Sequence, residues 1–130
     1  ADMELVYIVI GLALTEFWAF ALLVGMQRVK QKVDAPATTG SEVFERYHRV
    51  HYNTMEQLVI FIPSILLFAN YISATWAAGI GAVFLVGRIV YLRGYVADPK
   101  KRGTGFMLSW LPTTILLFGG TGGAAWALLN

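Results

Sequence analysis

The sequence contains no cysteine. That excludes disulfides, thiolate metal sites and a cysteine nucleophile, so any thiol chemistry must use a thiol that a ligand brings. Histidine is scarce too. Two residues cannot build a metal site alone, and no convincing cluster pairs them with carboxylates at metal-ligand spacing. Charge is the third shortage: Asp, Glu, Lys and Arg make up 14% of the chain, against about 25% in soluble domains. The net charge of +2 is too small to point to a polyanionic partner, and no nucleic-acid motif, low-complexity tract or repeat between the halves is present. The opening ADMEL is acidic and lacks the basic start of a signal peptide. Apolar residues fill the space that charge leaves, at 57% of the chain and a mean hydropathy of +0.60. This is the composition of an integral membrane protein, and 130 residues suggest a single domain.

A helix that crosses a bilayer needs roughly 20 mostly apolar residues. Four segments meet that need, at about residues 5–26, 52–72, 74–92 and 104–129. The second has a polar extension back to Glu42. The expected fold is therefore all-α, a four-span up-down bundle filling residues 1–130. The connectors are unequal. Residues 27–40 are polar and include Pro36, Thr38, Thr39 and Gly40, residues 93–103 are basic around the turn signal Asp98-Pro99, and the link near 70–74 is short and uncharged. Arg28, Lys30, Lys32, Arg46 and Arg49 follow span one, and Arg88, Arg93, Lys100, Lys101 and Arg102 end or follow span three. In an up-down bundle all ten cations gather at one end. The positive-inside rule makes that end cytoplasmic and puts both termini opposite.

Topology alone does not explain why cations sit inside a helical pattern. Glu42, Glu45, Arg49, Asn53 and Glu56 are three, four, four and three residues apart, which places them on one face of a helix, with Gln57 beside it. Ionisable groups at membrane depth are expensive and usually face the bundle interior or a water-filled cavity. One reading is a structural ladder in which Arg49 and Glu45 satisfy each other. The other is a pocket for a small zwitterion, with Arg49 on a carboxylate, Glu56 on an ammonium and Asn53 on an amide, because a guanidinium grips a carboxylate with two parallel hydrogen bonds. Arg88, Tyr91 and Tyr95 form a second stripe at the end of span three. Interfacial tyrosines alone make an aromatic belt. With Arg88 on the same stripe, and with both stripes at one depth, the two spans offer convergent polar groups. In span four, Gly119-Gly120 and Gly122-Gly123 suit close helix packing.

FERYHRVHYNTME at 44–56, RIVYLRGYVADPKKR at 88–102 and Thr38-Thr39-Gly40 resemble the MAPEG family, the membrane-associated proteins in eicosanoid and glutathione metabolism. The family pattern E-R-x-x-R-x-x-x-N-x-x-E is met by Glu45, Arg46, Arg49, Asn53 and Glu56. R-x-x-Y-x-x-G-Y is met by Arg88, Tyr91, Gly94 and Tyr95. The resemblance implies a homotrimer in membrane lipid, with glutathione as substrate or co-substrate between protomers and no metal. It implies Arg28, Arg49, Asn53, Glu56, Tyr91 and Tyr95 as glutathione-binding residues and Arg102 as the catalytic residue that stabilises the thiolate. The expected activity is a glutathione transferase acting on a lipophilic small molecule, with reduction of lipid hydroperoxides as a side activity, in a bacterial inner membrane. A free thiol titrates at roughly 8.5 and reacts as the thiolate; arginine keeps its charge in a partly desolvated site where lysine can lose it. The leukotriene branch of the family carries two adjacent arginines where this chain has Arg28-Val29, an amide where it has His51 and a tyrosine where it has Gln57. Leukotriene synthesis is therefore not the expected activity.

Glu16 stands alone near the middle of span one. The small multidrug resistance transporters also have four spans and a first-helix glutamate, which makes proton-coupled drug export through Glu16 an alternative. It leaves both polar stripes unexplained. A plainer account is a carboxyl held neutral or hydrogen-bonded where helices meet. A third alternative, a non-catalytic lipid-binding family member, does not need the full glutathione set.

Overall fold

The computed structural model describes residues 2–130. Those residues form four long helices: α1 (Asp2–Gln31), α2 (Glu42–Tyr71), α3 (Ala74–Ala97) and α4 (Gly103–Leu129). A 3-10 turn (Pro99–Arg102) joins the last two. No strand occurs among the described residues. All four helices are long and apolar enough to cross a membrane.

The helices run past their apolar segments. α2 has 30 residues, a length of roughly 45 Å at about 1.5 Å per residue, against a hydrocarbon core of roughly 30 Å. The surplus is its polar N-terminal part. Ser41 starts α2 as an extended N-cap, its Oγ accepting from the Phe44 amide at 3.3 Å. Ser73 does the same for α3 through the Trp76 amide at 3.2 Å. Only Ile72 and Ser73 separate α2 from α3, so the chain reverses at once. The first connector is longer and is pinned by its neighbours: Arg28 donates to the Ala37 carbonyl at 2.7 Å and lies over the Phe44 ring at 4.7 Å. Glu45 accepts from the Gly40 amide at 3.2 Å, and Gly40 sits at φ 127, where a side chain would be strained.

α2 and α3 form the middle of the bundle. α1 packs on both from one side and α4 on both from the other. The central cluster joins Val6, Val9 and Ala13 of α1 to Phe61, Ile65 and Phe68 of α2, Phe84 of α3 and Leu116 of α4. Phe61 and Phe84 stack at 3.9 Å. The outside is apolar as well, with Trp18, Val59, Phe118 and Trp126 all exposed. That distribution would be a liability in water and suits a lipid surround. Helices in lipid gain little from apolar burial and associate through close packing and hydrogen bonds. Glycine supplies the close packing. A Cβ on Gly87 would meet the Leu108 backbone at 2.7 Å, and one on Gly105 would overlap the Tyr91 backbone. Gly119, Gly120 and Gly123 lie against Phe68, Leu67 and Ile72, whereas Gly122 faces open space. Packing is thus the use of three of the four span-four glycines.

Candidate functional site

The N-terminal part of α2, the C-terminal part of α3, both long connectors and the start of α4 meet at one end of the bundle. Arg46 ties this end together. Its guanidinium donates to the Val96 carbonyl at 3.0 Å, capping the end of α3, and pairs with Glu42 one turn back. Asp98 accepts from the Lys100 amide at 3.0 Å and so shapes the 3-10 turn that presents Arg102. Gly94 lets that turn fold back, since a Cβ there would meet the Lys101 carbonyl at 2.7 Å.

Between these elements lies a cavity of about 400 Å³ lined by Arg49, Asn53, Tyr91, Tyr95, Arg102 and Phe106. An adjoining cavity of about 360 Å³ is lined by Thr38, Glu42, Glu45, Arg46, His48, Arg49, Tyr95 and Pro99. Arg49 and Tyr95 belong to both, so the two form one polar cleft. Each volume falls in the ~300–1,000 Å³ range of small-molecule sites. Tyr91 and Tyr95 stand 5.6 Å apart, ring centre to ring centre. Arg49 is exposed and makes no hydrogen bond or ion pair among the described residues. Arg102 is exposed and donates from one nitrogen to the Pro99 carbonyl at 2.9 Å, leaving the rest of its fork free. The cleft is therefore rich in unspent donors, and it suits a small ligand bearing carboxylates and amide carbonyls.

Five of the seven residues expected at the site, Arg49, Asn53, Tyr91, Tyr95 and Arg102, line one cavity. Two do not. Arg28 is spent on the first connector and the Phe44 ring. Glu56 is exposed one turn along α2 from Asn53, outside the cavity lining. The Arg49–Glu45 ladder is not formed either, because Glu45 turns to Gly40 and Arg49 to the cavity.

Sequence reasoning placed Arg88 on a polar stripe without a task. It is 0% exposed. Its Nε donates to Ser109 Oγ at 2.9 Å, and its Nη1 donates to Asn53 Oδ1 at 2.8 Å and Thr54 Oγ1 at 3.1 Å. Its plane lies 4.5 Å from the Tyr91 ring centre. Thr54 and Ser109, two of several hydroxyls in the apolar spans, were a weak signal for such a centre. Glu16 approaches from α1: its Oε1 and Arg88 Nη2 are both buried without a hydrogen-bond partner, and the two groups interact electrostatically. No group of three or more metal-ligating side chains occurs among the described residues.

The architecture defines an integral membrane protein of four helices with a donor-rich cleft at one end. A model of the MAPEG family matches residues 5–121, and the chain belongs to that family. It is 45% identical over 121 residues to an uncharacterized protein of Synechocystis sp., covering 93% of this chain and 88% of that one. It is 44% identical over 90 residues to human microsomal glutathione S-transferase 2, covering 69% of this chain and 61% of the human protein. Leukotriene C4 synthase of Cavia porcellus is 32% identical over 83 residues, 64% of this chain and 55% of that protein. The family is not that of the multidrug transporters considered on account of Glu16.

Proposed function

We propose that this chain is a membrane-bound glutathione transferase that joins the glutathione thiolate to lipophilic electrophiles. The observation that carries the reading is the single cavity shared by Arg49, Asn53, Tyr91, Tyr95 and Arg102. The family, and relatives named as glutathione transferases and leukotriene C4 synthases, support it.

In this reading Arg49 holds a glutathione carboxylate, Asn53 an amide carbonyl, and the tyrosine hydroxyls further polar groups. Glu56 receives the ammonium. Arg102 faces the sulfur and favours the thiolate over the thiol, since a nearby positive charge stabilises an anion. The thiolate sulfur forms a bond to an electrophilic carbon; the leaving group departs with the bonding pair, or an epoxide oxygen takes it and then a proton. With a lipid hydroperoxide the sulfur takes the terminal oxygen, and a second glutathione yields the disulfide, the alcohol and water. Arrival of the apolar partner from the bilayer and of the peptide from water makes this a proximity device.

The working form in this proposal is a homotrimer in a bacterial inner membrane. Each cleft opens towards a neighbour, the cationic end faces the cytoplasm and both termini face outward. Arg28, half-buried and already committed within its own protomer, then takes part through its remaining accessible atoms at a contact between protomers. Calorimetry of the detergent-solubilised protein with glutathione and S-methylglutathione tests the reading. Saturable binding of both, with proton release only for the free thiol, is expected; no binding to a folded oligomer would sink it.

A further inference from the structure

A fully buried guanidinium in a membrane-spanning helix is costly to insert, so Arg88 is an expensive way to link helices. What it links is informative. It lines neither part of the cleft. Its hydrogen bonds go to Asn53, which does line the cleft, and to two hydroxyls that do not, and it also lies against the ring of Tyr91, a second lining residue.

The proton count fixes this network. Ser109 Oγ donates to the Gly105 carbonyl at 2.8 Å, and Thr54 Oγ1 donates to the Val50 carbonyl at 2.8 Å. Each hydroxyl has spent its only proton, so each can meet Arg88 only as an acceptor. Arginine has five N–H donors and no acceptor. The Asn53 atom 2.8 Å from Arg88 Nη1 must therefore be the carbonyl oxygen. The amide NH2 is then the group that Asn53 has left to offer, and Asn53 lines the cleft. An asparagine without such a neighbour can offer a ligand its oxygen or its nitrogen by turning about its last bond. Here that choice is made in advance.

We propose that Arg88 is a positioning residue for ligand recognition: it locks the Asn53 amide so that the cleft is met by a donor, selecting a carbonyl or carboxylate oxygen of the bound thiol peptide. This rests on the glutathione reading above and gives a task to a residue that reading leaves unused. Arg88 acts through Asn53, the cleft residue it hydrogen-bonds, and touches no substrate.

The test is a double-mutant cycle on glutathione affinity, using the solubilised protein and calorimetry, with thermal unfolding and turnover at saturating glutathione measured in parallel. Arg88→Gln presents an amide that can turn, so Asn53 loses its fixed orientation. Both R88Q and Asn53→Ala are expected to weaken glutathione binding about tenfold or more, and the double variant to bind no more weakly than N53A. Turnover at saturation should fall much less than affinity. Arg88→Lys keeps one donor for Asn53 and should recover part of the loss, again only while Asn53 is present. If R88Q does not fold, the same cycle is read with R88K. Multiplying losses in the double variant, or unchanged affinity in a folded Arg88 variant, overturns the proposal while leaving the transferase reading intact. Absence of glutathione binding by the unaltered protein overturns both.

Discussion

The arginines of this chain divide by what their donors already hold. Arg28, Arg46 and Arg88 are spent on carbonyls and side chains of the protein itself. Arg49 is unspent and Arg102 nearly so, and both line the cleft. That difference predicts two kinds of loss. Arg49→Ala should raise the glutathione dissociation constant by roughly ten- to a hundredfold, the size of a charge-assisted hydrogen bond, with turnover at saturation little changed. Arg102→Ala should do the reverse, lowering turnover more than affinity. Calorimetry and steady-state conjugation kinetics on the two variants separate these effects, and equal loss of both parameters in both would refute the division. The spacing of Arg49, Asn53 and Glu56 was legible in the chain because residues three and four apart share a helix face. Which donors remain free was not legible, because it depends on where carbonyls of other elements fall.

At the scale of the helices, α3 and α4 touch backbone to backbone at two levels, through Gly87 and Gly105. Gly105→Ala drives a methyl into Tyr91 and should destabilise the protein by about 1–3 kcal/mol. Gly122→Ala, on the same helix but facing open space, should leave it unchanged. Thermal unfolding in detergent compares the two. α1 meets α3 differently: Glu16 and Arg88 interact electrostatically, with no hydrogen bond between them. Glu16→Gln and Arg88→Gln should not act additively on thermal stability, with a coupling of about 0.5–3 kcal/mol. Additive effects would show that the two groups are not coupled. Glu16→Gln should leave conjugation largely intact. The helices themselves could be read from apolar runs, but the polar start of α2 shows why boundaries are harder. Charge marks the edge of a membrane, whereas hydrogen bonding carries the helix on to Glu42.

Across the whole molecule, the absence of cysteine becomes a tool. A single cysteine at Lys100 or at Asn130 would be the only thiol in the protein. In sealed right-side-out vesicles a membrane-impermeant maleimide should label the Asn130 variant at once and the Lys100 variant only after permeabilisation. The opposite pattern would invert the proposed orientation. Native mass measurement of the solubilised protein should give three protomers; a stable monomer that still binds glutathione would remove the need for a neighbour at the cleft.

Composition, apolar run length and motif spacing by themselves determined the class of this protein. With so little charge and four apolar segments, a water-soluble fold is ruled out, and two motifs, at 44–56 and 88–102, carry the family. Those are properties of solvent and of local periodicity, which a linear sequence contains. Only the tertiary structure decided that five of the expected residues share one cavity, that Arg28 serves the connector, and that Arg88 is buried against Asn53. These outcomes depend on which faces meet. In lipid that is decided by glycine contacts and by hydrogen bonds between helices, such as those of Arg88 to Asn53, Thr54 and Ser109, a matching problem that spans the whole bundle.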